Sequence, residues 1–146
     1  MRALVQRVSQ ASVTVDDVVT GQIGRGLVIL LGVTHADTQS DAEILANKVT
    51  HLRIFPDCDS KMNFSVLDVS GELLVVSQFT LYADTRRGNR PSYSDAARPE
   101  IAEPLYQHFV RSCRRAGLVV QTGQFQAHMK VELVNEGPVT ILCESK

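Results

Sequence analysis

The chain has 146 residues, enough for one domain with a sizeable core. Apolar residues make up 44% and charged ones 21%, the balance of a soluble globular protein, and the longest apolar run, Leu27 to Val33, is too short to cross a bilayer. A formal net charge of −1 excludes a global pull toward nucleic acid, so any RNA contact must come from local clusters.

Met1 leads straight into an alternating pattern through Gln10, which predicts a strand rather than a signal peptide. Val13 and Val15 alternate with Thr14 and Asp16, and Asp16-Asp17 reads as a turn. After Gly21, Gly24 and Gly26, the run Leu27 to Val33 predicts a central strand buried on both faces. Thr38 to Leu52 reads as a helix, with Ala42, Leu45, Ala46, Val49 and Leu52 on one stripe. Asp37, Thr38 or Ser40 can cap it. Leu52 to Phe55 reads as a short strand closed by Pro56, and Asp57 to Asn63 as a loop. Leu73 to Gln78 is a strong strand after the turn Ser70-Gly71. Ala83 to Ala97 is a long polar loop carrying Arg86, Arg87 and Arg90, and loops of that length are often functional. A second helix spans roughly Pro99 to Ala116, stopped by Gly117. Pro104 either lies in its true first turn, with the helix starting near Ala102, or kinks it. Leu118 to Gln121, Met129 to Val134 and Val139 to Cys143 read as further strands. The order predicts one α+β domain over residues 1–146, with a mixed, mostly antiparallel sheet and two helices packed on it.

Side-chain chemistry has no obvious seat. Cys58, Cys113 and Cys143 are scattered and odd in number, which predicts neither zinc nor disulfides and points to a reducing cytoplasm. His35, His51, His108 and His128 fall in no metal or serine-hydrolase motif. The three glycines make no phosphate loop, and no cofactor or metal is expected.

Two segments stand apart. Ser77-Gln78-Phe79-Thr80-Leu81 puts hydroxyls and an amide at the end of an aliphatic strand. These can satisfy strand-end backbone groups, or they can face a ligand. Asn135-Glu136-Gly137-Pro138-Val139-Thr140 places Gly-Pro between two strand-like runs. Gly137-Pro138 is either a hairpin turn or a cis peptide held at a site.

Together the two segments resemble the signature pair of the D-aminoacyl-tRNA deacylase family. The resemblance runs nearly end to end, through Arg2 to Val8, Gly24-Arg25-Gly26-Leu27, Leu52-Arg53-Ile54-Phe55, Lys61-Met62-Asn63, Arg86 to Pro91 and Gly123-Gln124-Phe125. Three positions depart from it: Ser60 and Gln126 where glycine is usual, and His128 where an acid is common.

The resemblance implies a barrel-like sheet and a homodimer with its active site at the interface. It implies hydrolysis of the ester between a D-amino acid, or mischarged glycine, and the terminal adenosine of tRNA. Gly137 and Pro138 would enter the partner's pocket and exclude L side chains. Ser77, Gln78, Phe79 and Thr80 would line the pocket, with Phe79 and Thr80 N–H groups facing the oxyanion. Met129 and Arg7 would be their neighbours, with Arg7 bracing the motif. Arg86, Arg87 and Arg90 would meet tRNA phosphates. Since no base adjoins Thr80, attack by water aided by the ribose 2′-hydroxyl is expected. Two other readings are an editing domain that removes L-serine from threonyl-tRNA, and a non-catalytic nucleic-acid-binding protein.

Overall fold

A computed structural model describes residues 1–146. Eight strands and two helices follow in the order β1 (Arg2–Val15), β2 (Val18–Ile23), β3 (Gly26–Gly32), α1 (Gln39–Thr50), β4 (Phe55–Pro56), β5 (Met62–Phe64), β6 (Glu72–Ser77), α2 (Pro99–Arg115), β7 (Val120–Thr122) and β8 (Lys130–Glu144). Six strands form one mixed sheet in the order β2-β1-β3-β6-β7, with β8 along the other edge of β1. The β1 pairings are antiparallel, while β3–β6 and β6–β7 are parallel. The parallel pairs require crossovers, and α1 and α2 lie within them.

The sheet nearly closes into a barrel because β2 comes back against β6 and β7. Gly21 permits the approach: a Cβ there would sit 2.7 Å from the Thr122 carbonyl oxygen. Two cores result. Ala3, Val5, Leu27, Ile29, Leu31, Leu73 and Val75 join residues of both helices in one cluster. Val8, Ala11, Val13, Ile23, Val28, Leu74 and Val76 form the second. β3 and β6 therefore contribute to both, as an unbroken apolar run requires. Val8 and Ala11 share a cluster despite opposite parity, because a bulge at the Val8/Gln10 step sets an extra β1 residue against β8.

The structure moves several expected boundaries. Thr38 caps α1 through a capping box with Asp41, while Asp37 accepts from the Thr34 N–H instead. Burial raises the Asp41 carboxyl, but hydrogen bonds from Thr38, Lys146 and Ser145 together outweigh it and hold the pKa at about 2. Helix α2 starts at Pro99, not near Ala102, so Pro104 lies inside it and cannot donate to the Glu100 carbonyl. The Leu52–Phe55 strand shrinks to Phe55–Pro56, paired with Met62–Phe64 at the end of the expected loop.

The largest correction concerns the C-terminal third. The two runs expected as separate strands are one strand, β8, on one neighbour. Gln6 pairs with Thr140 and Val8 with Asn135, so residues 136–139 leave the ladder and return to it. Gly137-Pro138 is thus no hairpin turn but the tip of an excursion from a continuous strand.

Candidate active site

The C-terminal ends of the parallel strands β3 and β6 point the same way, an arrangement that commonly leaves a crevice for a ligand. A cavity of about 600 Å³ opens there. Ser77, Gln78 and Phe79 form one wall, Tyr93 and Ala97 another, and the stretch Phe125 to Met129 a third. The Gln78 N–H donates to the Leu31 carbonyl at 2.8 Å, which fixes the strand end beside β3. The chain then turns into a single 3₁₀ turn, Phe79–Tyr82. Such a turn leaves its first N–H groups, those of Phe79 and Thr80, without partners inside it. Arg2 holds the far side of this turn, donating to the Leu81 carbonyl at 3.0 Å and lying over the Tyr82 ring.

Aromatic packing shapes the mouth and the floor. Phe79 and Tyr93, both exposed, meet edge to face with centroids 5.1 Å apart. Tyr106 packs against Phe125 and donates its hydroxyl to the Val75 carbonyl at 2.8 Å. Burial pushes the Tyr106 hydroxyl up to about 12, so it stays a neutral donor that locks α2 to β6. Gln126 and Ser60 take positive φ, 63° and 60°, which accounts for glycine being usual at both positions in the resembled pattern. Glycine adopts that conformation more readily than glutamine or serine does.

Thr80 lies beside the cavity without lining it, and its hydroxyl accepts from the Gln78 side-chain amide. That amide has no basicity to offer the hydroxyl. Met129 lines the cavity.

Arg7, Gly137 and Pro138 do not line it. Arg7 braces the excursion instead, its Nε donating to the Glu136 carbonyl at 2.9 Å and its Nη1 to the Ile54 carbonyl. The Asn135 side chain staples the base: its oxygen accepts from the Val139 N–H at 2.7 Å, and its amide donates to the Thr140 hydroxyl at 2.9 Å. The Gly137–Pro138 peptide bond is cis, and Gly137 has φ of +140°. A Cβ on Gly137 would lie 2.8 Å from Val139 Cγ2 and 3.0 Å from Arg7 Nη2. Gly137 and Pro138 are exposed, while Val139 is buried and anchors the return.

The arginine loop divides. Asp84 and Ser92 exchange backbone hydrogen bonds across it. Arg86 is bidentate on Asp84 and holds that carboxyl down at about 2. Arg87 and Arg90 are exposed. No three His, Cys, Asp or Glu side chains gather in a group that could hold a metal ion.

Sequence reasoning did not find Arg2 or Asn135 as braces, nor Tyr93, Ala97 and Phe125 as walls. Asn135 carried a usable signal, since Asn before a Gly-Pro step can satisfy backbone groups that the step leaves open.

Residues 4–144 match the sequence model of the family described as D-Tyr-tRNA(Tyr) deacylase. The chain belongs to that family. It is accordingly an enzyme, a hydrolase of the D-aminoacyl-tRNA ester. A D-aminoacyl-tRNA deacylase of Roseiflexus castenholzii (strain DSM 13941 / HLO8) is 62% identical over 145 residues, 99% of this chain and 92% of that protein. One of Clostridioides difficile (strain 630) is 59% identical over 145 residues, 99% of this chain and 97% of that protein. Among solved structures, a c-Myc DNA unwinding element binding protein superposes with a TM-score of 0.94 at 42% identity, covering 100% of this chain and 99% of that one. A probable eukaryotic D-amino acid tRNA deacylase superposes with a TM-score of 0.85 over 98% of both chains. At 16% identity it shares the fold alone.

Proposed function

We propose that two copies of this chain together form a proofreading enzyme of the cytoplasm, which removes D-amino acids and mischarged glycine from tRNA and spares L-aminoacyl-tRNA. The observation that supports this reading is a mismatch of shape within one chain. The cavity at the end of β3 and β6 is concave and open, and the braced Gly137-Pro138 tip is convex and lies outside it. A tip that gates a cavity it does not line must reach the cavity of a second copy.

In this reading Ser77, Gln78, Phe79 and Met129 cradle the terminal adenosine and the ester. A water molecule attacks the ester carbonyl, with the ribose 2′-hydroxyl passing its proton along. The Phe79 and Thr80 N–H groups face the oxygen on which negative charge develops. The bond to the ribose 3′-oxygen breaks, that oxygen takes a proton, and a free amino acid and tRNA leave. The Thr80 hydroxyl is no nucleophile here, because its only side-chain partner is an amide donor. Handedness is judged by backbone: the tip of the partner occupies the space an L side chain would need, and glycine has none to exclude. Arg87 and Arg90 meet the phosphates of the acceptor end.

Labelled D-Tyr-tRNA and L-Tyr-tRNA test this directly. Release of tyrosine from the D ester alone is expected. Release from neither would leave a nucleic-acid-binding module, and release of L-serine from tRNA(Thr) mischarged with serine would mark an editing domain. Thr80→Ala should keep hydrolysis of the D ester within about tenfold of the parent. Complete loss with normal tRNA binding would restore a nucleophilic threonine.

A further inference from the structure

His128 stands alone among the side chains around the cavity. No Asp, Glu, Lys or Arg lines it, and Tyr93 is the only other ionisable residue there. This holds for every wall: β3, the end of β6, the Tyr93–Ala97 stretch, the start of α2 and the segment from Phe125 to Val131. The nearest cation along the chain, Lys130, is already paired with Asp17 at 3.2 Å. The other three histidines are tied down within the fold. His35 meets the Ser94 carbonyl, His51 the Asn47 carbonyl and His108 the Glu43 carboxylate, each at 2.8 Å. The exposed His128 ring is left free at the rim of the pocket.

The substrate has a matching group. A cavity of this volume suits a nucleoside carrying an aminoacyl ester. The nearest negative charge on such a substrate is the phosphodiester on the 5′ side of the terminal adenosine. We propose that the His128 ring donates a hydrogen bond to that phosphodiester and so sets the depth at which the terminal nucleotide sits. It is a binding and positioning residue, not a catalytic one. The inference rests on the reading above, in which the cavity holds the terminal adenosine. A hydrogen bond to an ionised phosphate is charge-assisted and belongs to the stronger class of such contacts.

The test uses two small D-tyrosyl esters, one on adenosine and one on cytidylyl-(3′→5′)-adenosine, which adds only the phosphodiester and a further nucleoside. In His128→Ala, KM for the dinucleotide ester should rise about five- to tenfold with kcat held within about twofold. KM for the adenosine ester should match the parent. His128→Lys should restore KM for the dinucleotide ester. An equal loss on both esters, as contact with the amino acid would give, overturns the proposal. So does no loss on the dinucleotide ester, or failure of lysine to rescue. A parent protein that cleaves neither ester overturns the reading of the cavity itself, and His128 falls with it.

Discussion

The cavity wall and the β8 excursion use different means to hold a functional backbone in place. The wall from Ser77 to Tyr82 is an ordinary strand end continued by one helical turn, fixed by sheet pairing and by Arg2. The excursion from Glu136 to Val139 has no ladder partners. Asn135 and Arg7 hold it by side chain alone. A second wall of the cavity, Phe125 to Met129, and the excursion each contain a left-handed residue, but with unequal freedom. Gln126 in the wall takes φ of 63° with a full side chain, whereas at Gly137 a Cβ would press on both Val139 and Arg7. The wall can absorb substitution, and the excursion cannot.

Gly137→Ala is the sharpest way to break the comparison. A non-glycine residue at that φ carries about 1–3 kcal/mol of strain, and the Cβ contact at 2.8 Å adds to it. Discrimination between D- and L-Tyr-tRNA should fall by about 10- to 100-fold, mainly through faster hydrolysis of the L ester. Unchanged discrimination would mean that the tip judges nothing. Asn135→Ala removes the staple and leaves the Val139 N–H to find water, at a cost of about 1–2 kcal/mol. The same ratio should drop by about tenfold, while the melting temperature, governed by two cores elsewhere, moves only a few degrees.

The arginine loop gives a smaller contrast. Arg87→Ala and Arg90→Ala should each weaken binding of whole tRNA and reduce the salt slope of log K by about one. Arg86→Ala should change the slope less, because Asp84 already neutralises that charge. Equal slopes for all three would remove the loop from the RNA surface. Last, Gln126→Gly should raise stability by about 0.5–1 kcal/mol by denaturant unfolding, since it relieves a left-handed glutamine. A loss of stability would show that the glutamine side chain packs usefully.

Much of this was legible in the residues. The run Leu27 to Val33 became a strand buried on both faces, and the stripe from Ala42 to Val49 became α1, because periodicity reports burial directly. The Ser77–Thr80 and Gly137–Pro138 segments drew attention because their chemistry clashed with their neighbours. What stayed hidden depended on distance in sequence. Nothing local brings Tyr93 against Phe79 or Phe125 under Tyr106. The unity of β8 was masked because Gly-Pro ordinarily ends a strand, and here Arg7, on another strand, carries the chain across the break. Arg7 was expected beside the first segment and braces the second, a choice fixed by the register of β1 against β8.

In the proposed dimer the tip of one chain closes the cavity of the other. Mixed dimers test it most directly. Gly137→Ala chains, with an intact cavity and a spoiled tip, are co-expressed with an excess of Phe79→Asp chains, which have an intact tip and a charged, disabled cavity. Hydrolysis of L-Tyr-tRNA by the Gly137→Ala protein should disappear in the mixture while hydrolysis of D-Tyr-tRNA persists. Undiminished hydrolysis of the L ester in verified mixed dimers would show that each tip serves its own chain, or none, and would contradict the account.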